Sequence, residues 1–271
     1  MTPPFFQEPD WQYHRWSGVY MTSHLLIAAH ESIDEWRSRM MKPREDAPAL
    51  AFGRAAHILL TEPHLFEECY IVGGPVNPRT GKTFGQETKK YQEWAAEQKK
   101  QPIAPENFEL AERMAASVRR HKAGSKLLAV GEAEQVTRQT YAGLPCQIRL
   151  DWLAPEWIAD YKTTSDVFSF KYSIEQYGYL TQAAFYQAVT EIATGRKLPY
   201  YIIATEKSDD ATTVVWQLNQ AALDERRKQN EQKLAEIRSE FLAINERRPD
   251  LSVIEQSVEE FSFYALGVND G

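Results

Sequence analysis

The chain changes its hydrophobic period along its length, and the changes separate helical from extended segments. From Ser23 to Met40, Leu26, Ala29, Ile33 and Trp36 recur at three- and four-residue steps, one face of a helix that Thr22 or Ser23 would cap. "PALAFGRAAHILL", Pro48 to Leu60, predicts a second helix, separated from the first by a break at Pro43 and stopping before Pro63. The Gly- and Pro-rich stretch 72–85 reads as a long loop, with helices expected over Gln86–Gln98 and Pro105–His121.

The period then drops to two. Glu134–Tyr141 alternates, "AGLP" turns, Cys146–Leu153 alternates, "APE" turns, and Trp157–Lys162 completes a three-strand antiparallel meander. A helix over Lys171–Thr194 ends at Gly195, and strands Tyr200–Lys207 and Thr212–Leu218 follow. The last helix, Gln220–Arg247, places Leu234, Ile237, Phe241 and Ile244 on a core- or partner-facing stripe. Helices, meander, helix, strands and helix make an α/β or α+β sheet flanked by helices. A single domain over 1–271 is expected: a helical part at about 20–125, a sheet core at about 130–220, and a C-terminal helix and tail at about 220–271.

Composition excludes classes more than it selects one. An apolar fraction of 43% with 12% aromatics suits a sizeable core. No run approaches the ~20 apolar residues of a membrane span, and the N-terminus has no signal-peptide pattern. A soluble, cytoplasmic protein is therefore expected. Cys69 and Cys146 cannot build a four-cysteine zinc or iron–sulfur site. The net charge of −7 does not suggest nucleic acid, yet Arg79, Lys82, Lys89, Lys90, Lys99 and Lys100 face only Glu87, Glu93 and Glu97 within one segment. That segment is either a substrate-facing arm or a solvated helix with ion pairs. "TGKT" at 80–83 is no phosphate loop: Val76 stands where the first glycine is needed, and Pro75 and Pro78 each remove an amide.

The chemistry concentrates in "LDWLAPEWIADYKTT", residues 150–164. Asp151 lies within the second meander strand and Asp160 near the end of the third, so adjacent antiparallel strands would bring the two carboxylates together. Such a pair repels unless a cation is present. Oxygen ligands suit Mg²⁺ or Mn²⁺. Lys162 projects from the same strand face as Asp160, where an ammonium would hold an attacking water and offset charge on a phosphate. Glu134 would add a third carboxylate, or stand as an edge charge.

In this order the residues resemble the PD-(D/E)XK nuclease superfamily, whose signature is an aspartate followed by Asp/Glu-x-Lys on consecutive strands. Asp151, Asp160 and Lys162 match it. "QAAFY", with Gln182 and Tyr186, resembles the Gln-x-x-x-Tyr motif of its RecB-type branch, and "FGRAAHILLTEP" resembles the helix that carries that branch's histidine, here His57. The succession is most similar to RecE-like phage and prophage exonucleases of the exonuclease VIII type, over about residues 20–220.

The resemblance implies a restriction-endonuclease-like mixed sheet and Mg²⁺-dependent hydrolysis of DNA phosphodiesters, with Mn²⁺ as a substitute. Asp151, Asp160, His57 and the Tyr161 backbone carbonyl would be metal ligands, Lys162 would position the nucleophilic water, and Glu134 would support the metal water or a second metal. His57 would otherwise contact the scissile phosphate or be a core histidine. Gln182 would touch DNA or active-site water, with Tyr186 beside it on DNA or packed beneath it. Arg149 would contact phosphate or neutralise the carboxylates, and Thr163 and Thr164 would bind phosphate or cap the strand. For this branch the resemblance implies 5′→3′ digestion from duplex ends, leaving 3′ single strands. It also implies a ring-shaped homo-oligomer with Arg79, Lys82, Lys89 and Lys90 lining its channel, and a single-strand annealing partner of the RecT/Bet type. The alternatives are an endonuclease of the same fold and a catalytically silent DNA-end-binding recombination protein.

Overall fold

One serine divides the first predicted helix. The structure, a computed structural model, describes residues 4–41 and 48–247. After a short helix that the periodicity does not announce, α1 (Asp10–Arg15), the chain forms α2 (Ser23–Glu31) and α3 (Ile33–Met41). Thr22 caps α2, its hydroxyl accepting from the Leu25 amide at 3.4 Å. Ser32 is fully extended (φ −167°), and its hydroxyl accepts from the Glu35 amide at 3.0 Å. "SIDE" is thus the start of a new helix, a Ser-x-x-Glu signal that outweighs the continuous apolar stripe. Pro43 lies outside the described residues.

Next come α4 (Pro48–Thr61), a 3-10 turn at Pro63–Leu65, α5 (Phe66–Cys69), β1 (Tyr70–Val72), α6 (Lys89–Ala96) and β2 (Gln101–Ile103). β1 and β2 form a small parallel pair that the sequence pattern does not predict. The loop between β1 and α6 closes on itself through a Val76–Thr83 bridge, with the Asn77 amide donating to the Lys82 carbonyl at 2.8 Å. α7 (Pro105–Arg120) and α8 (Lys122–Leu127) complete the helical half.

The meander forms as β3 (Glu132–Tyr141), β4 (Leu144–Leu153) and β5 (Ile158–Thr164). Ala142 (φ +50°) and Gly143 (φ +75°) make the two-residue turn between the first two strands, with both φ values positive as a type I′ turn requires. The predicted crossover helix is two helices, α9 (Phe170–Gln176) and α10 (Tyr179–Thr194). Gly178 breaks it with φ +69°, and a Cβ there would sit 2.9 Å from the Ile27 side chain of α2. Only glycine fits both the conformation and the contact. β6 (Tyr200–Glu206), β7 (Thr213–Gln217) and α11 (Gln220–Glu246) follow.

The sheet order is β3-β4-β5-β6-β7, antiparallel except for the β5–β6 pair, which the crossover makes parallel. Alternation sends Ile148, Leu150, Ile158, Tyr200 and Ile202 to one face, where they pack against α2, α10 and α11. Ala159, Tyr161 and Ile203 go to the other, under α4 and α7. The α11 stripe of Leu234, Ile237 and Phe241 is buried in the first of these cores, so it faces the core and not a partner. Each large apolar side chain so buried contributes about 1.5–3 kcal/mol. Among the described residues no helix is long and apolar enough to cross a membrane.

Candidate active site

The site forms where two strands part. β4 pairs with β5 only at Trp152–Ala159 and Leu153–Ile158. Continued by one residue the register would set Asp151 opposite Asp160, but the ladder has ended. Farther back, the same edge of β4 is taken by Met21, whose amide donates to the Pro145 carbonyl and whose carbonyl accepts from the Gln147 amide. Asp151 is left in the gap. Its Oδ2 accepts from the Tyr161 amide at 2.8 Å, bridging strands that no longer bond backbone to backbone.

A second irregularity faces it. The β3–β4 register runs from Ala133–Trp152 to Gln135–Leu150 and skips Glu134. Glu134 has φ +51°, a left-handed conformation that costs a side-chain-bearing residue about 1–2 kcal/mol. The kink aims its carboxylate at Asp151. From α4, on the other side of the gap, His57 brings Nδ1 to 3.6 Å from Asp151 Oδ2, and its ring meets the Tyr161 ring edge-on at 5.0 Å. The Tyr161 carbonyl hydrogen-bonds the imidazole. One donor atom each from His57, Glu134 and Asp151 lies within 4.8 Å of the others.

Asp160 stands beside this trio, not within it. Its Oδ2 takes the Lys162 ammonium at 2.6 Å, as the shared strand face predicts. Its Oδ1 is buried and without a hydrogen-bond partner. Burial pushes the Asp160 carboxyl above its ordinary value, Lys162 opposes this, and the charge of Asp151 adds to it. Burial alone would lower Lys162, but Asp160 and Asp151 outweigh it and the ammonium is held firmly protonated. Burial likewise raises Glu134, against Arg149 and with Asp151. It lowers His57, against Asp151. Crowded, desolvated carboxylates with raised pKa values beside a neutral imidazole are groups that a bound cation would stabilise together. The donor set of carboxylate oxygens, one imidazole and the unpartnered Asp160 Oδ1 fits a hard divalent ion.

Arg149 is tied into the carboxylates: Nε reaches Glu134 at 3.0 Å, Nη2 reaches Asp10 at 2.7 Å, and the guanidinium lies 4.8 Å over the Tyr13 ring. Of its two expected roles, counterion is the one this geometry provides. Asp10 and Tyr13 sit on α1, which sequence reasoning missed; Pro9-Asp10 was the only local helix-start signal there.

Gln182, in the first turn of α10, hydrogen-bonds the Tyr186 hydroxyl, which Ser23 also reaches at 3.4 Å. Tyr186 itself is buried in the core and bonded to Gln182, so of its two expected places, on DNA or packed beneath Gln182, this geometry provides the second. Thr164 bonds the backbone of Asp166 in the turn that ends β5, the capping role, while Thr163 pairs in register with Thr205. Arg79, Lys82, Lys89 and Lys90 are exposed on the 76–83 hairpin and α6. Lys89 pairs with Glu93 at 3.5 Å and Lys90 lies 5.1 Å over Phe84.

The fold is similar to the crystal structure of a "putative exonuclease" from Eubacterium rectale, with a TM-score of 0.65 and 16% identity over 90% of this chain and 89% of that one. At that identity the likeness speaks for the fold. No curated protein sequence matches the chain. Residues 24–250 match the family described as a PDDEXK-like domain of unknown function (DUF3799). With that match spanning most of the chain and the Asp151, Asp160 and Lys162 signature gathered at one strand gap, the chain belongs to the DUF3799 family of PDDEXK-like domains.

Proposed function

We propose that the protein is a Mg²⁺-dependent deoxyribonuclease that digests one strand from duplex DNA ends, 5′→3′, leaving 3′ single strands for recombination by annealing. The observation that carries the reading is the convergence of His57, Glu134 and Asp151 beside the Asp160–Lys162 pair. Asp151, Asp160, His57 and the Tyr161 carbonyl would hold the ion, with Glu134 as a further oxygen ligand. A divalent ion there supplies Lewis-acid polarisation of the phosphodiester and of water.

This chain's own groups do the rest. Lys162, oriented by Asp160, donates to the attacking water and to the phosphate oxygen on which charge grows. Arg149 neutralises Glu134, so that repulsion among the carboxylates does not force it out of the gap. Gln182, braced by Tyr186 and Ser23, offers an amide toward the substrate side. A homo-oligomeric ring with Arg79, Lys82, Lys89 and Lys90 in its channel would reconcile the net charge of −7 with DNA, and an annealing protein of the RecT/Bet type would take up the product strand.

The test is a time course on end-labelled linear duplex with Mg²⁺, with EDTA, and with a circular duplex control. Loss of label from 5′ ends of linear DNA alone is expected. Cutting of the circle would replace this reading with an endonuclease of the same fold, and no cutting at all would leave a silent end-binding protein.

A further inference from the structure

The chain from Phe6 to Tyr13 contacts both strands that feed the carboxylate cluster, β3 at Glu134 and β4 at Arg149. Phe6 pairs with the outer edge of β3: its amide donates to the Val136 carbonyl at 3.0 Å, and its carbonyl accepts from the Val136 amide at 2.8 Å. Gln7 Nε2 donates to the Ala133 carbonyl at 2.9 Å, where Gln135 Nε2 also donates at 3.0 Å. These contacts bracket the left-handed Glu134. The Ala133 carbonyl belongs to the planar peptide unit whose orientation sets φ at Glu134, so two side-chain amides fix the plane about which the kink turns. A left-handed residue other than glycine persists where its surroundings over-determine it, and here they do. Glu8, next along, takes Arg138 Nη2 at 2.5 Å and anchors the segment to the same strand.

α1 then reaches β4. The Tyr13 carbonyl accepts from Gln147 Nε2 at 3.1 Å, and the Arg149 guanidinium lies 4.8 Å from the Tyr13 ring centroid. Asp10 Oδ1 takes Nη2 of that guanidinium at 2.7 Å, and His14 Nε2 comes to the same oxygen at 3.3 Å. Arg149 meets Glu134 through Nε, on Oε2, at 3.0 Å. A guanidinium can grip one carboxylate with two parallel bonds. Arg37 does so on Glu240, with Nε on one oxygen at 2.6 Å and Nη2 on the other at 2.9 Å. With Nη2 of Arg149 committed to Asp10, that grip on Glu134 is not made, and the second Glu134 oxygen is left for an ion. Phe6, Gln7, Asp10 and Tyr13 all precede residue 24, where the match to the family begins.

We propose that this N-terminal segment positions the metal site: Gln7 holds the backbone kink that turns Glu134 inward, and Asp10 occupies Arg149 so that one Glu134 oxygen stays open to a divalent ion. The inference rests on the reading of His57, Glu134 and Asp151 as ion ligands. Gln7 and Asp10 are positioning residues, each acting through Glu134. The segment also covers the edge of β3, but that duty needs the Phe6 backbone and not these two side chains.

The experiment measures Mn²⁺ binding by calorimetry, with thermal melts alongside, for the full chain, for Asp10→Ala and for Gln7→Leu, each also in a Glu134→Gln background. Groups that orient a metal ligand typically contribute 10- to 100-fold in affinity, so each single variant is expected to bind Mn²⁺ about tenfold more weakly or worse. In the Glu134→Gln background neither substitution should weaken binding further, because the carboxylate they serve is already gone. Asp10 is half exposed, so its removal should move the melting temperature by at most about 4 °C, which separates lost positioning from a lost fold. Native Mn²⁺ affinity in either single variant would overturn the proposal, and so would an equal further loss in the Glu134→Gln background. No Mn²⁺ binding by the native chain would overturn it together with the ion-site reading. Mn²⁺ binding that both single variants weaken, and only when Glu134 is present, would support it even if the native chain cut no DNA, a result that would fault the nuclease reading alone.

Discussion

Replacing Lys162 with methionine should do more than stop cleavage, because the lysine also holds Asp160. The ammonium meets Oδ2 at 2.6 Å and Oδ1 is unpaired, so the variant leaves a buried carboxylate with no cation, supported only by the Tyr200 hydroxyl. At an effective dielectric of about 20 the gross attraction at that distance is about 6 kcal/mol. Much of it is offset by desolvation, and breaking one side of such a pair typically costs about 3–5 kcal/mol. The cost depends on pH. Asp160 already has a raised carboxyl pKa, and losing Lys162 raises it further, so the folded variant binds a proton that the unfolded chain releases above the ordinary aspartate value of 3.8. Wild type shares the resulting loss of stability up to its own raised folded value; above that value only the variant still holds the proton, so the stability of the variant relative to wild type falls there, by up to about 1.4 kcal/mol per pH unit. In EDTA the melting temperature should drop by about 2–4 °C per kcal/mol, more at pH 8 than at pH 5.5. Thermal melts of both proteins at the two pH values measure it, and adding Asp160→Asn should recover most of the loss. An equal drop at both pH values, or no recovery in the double variant, would refute the claim that Lys162 stabilises a buried Asp160.

Glu134 offers a related measurement with a different readout. Its folded pKa is raised, first by burial, so metal-free stability should fall as pH rises from the ordinary 4.5 toward the folded value, and Glu134→Gln should flatten that slope in EDTA melts. The same variant should weaken divalent-ion binding in calorimetry; undiminished affinity would remove Glu134 from the ligand set. Gly178→Ala places a Cβ 2.9 Å from Ile27 at φ +69°, and should cost about 1–3 kcal/mol in urea melts while reducing cleavage by shifting Gln182, one turn on. Neutralising Arg79, Lys82, Lys89 and Lys90 together should lower the salt dependence of duplex binding by about 0.9 in log–log slope for each phosphate no longer neutralised, and an unchanged slope would exclude them from the DNA path.

Much of the architecture could be read from local pattern. α4 and α7 match their apolar periodicity nearly residue for residue, and the meander strands match their alternation. Asp-Tyr-Lys on one strand was enough to place Lys162 against Asp160, since side chains two apart on a strand share a face. The breaks at Ser32 and Gly178 were missed for one reason: a hydrophobic stripe can continue across a backbone that does not. In the first case the Ser-x-x-Glu signal was present. In the second only the approach of Ile27, distant in sequence, shows why glycine is needed.

Sequence by itself therefore determined most of the longer elements, the face most of their side chains take, and the identity of the titratable residues that make up the candidate metal site, because those properties depend on neighbours within a turn or two. Tertiary structure decided which of them meet. Arg149 pairs with Asp10 across 139 residues of chain. Asp151 is free to face His57 only because the β4–β5 ladder stops after two pairs and Met21 occupies the vacated edge. Glu134 points inward only because its backbone turns left-handed at a skipped register position. Where a ladder ends and which strand kinks depend on packing on both sheet faces at once, and no local period encodes that.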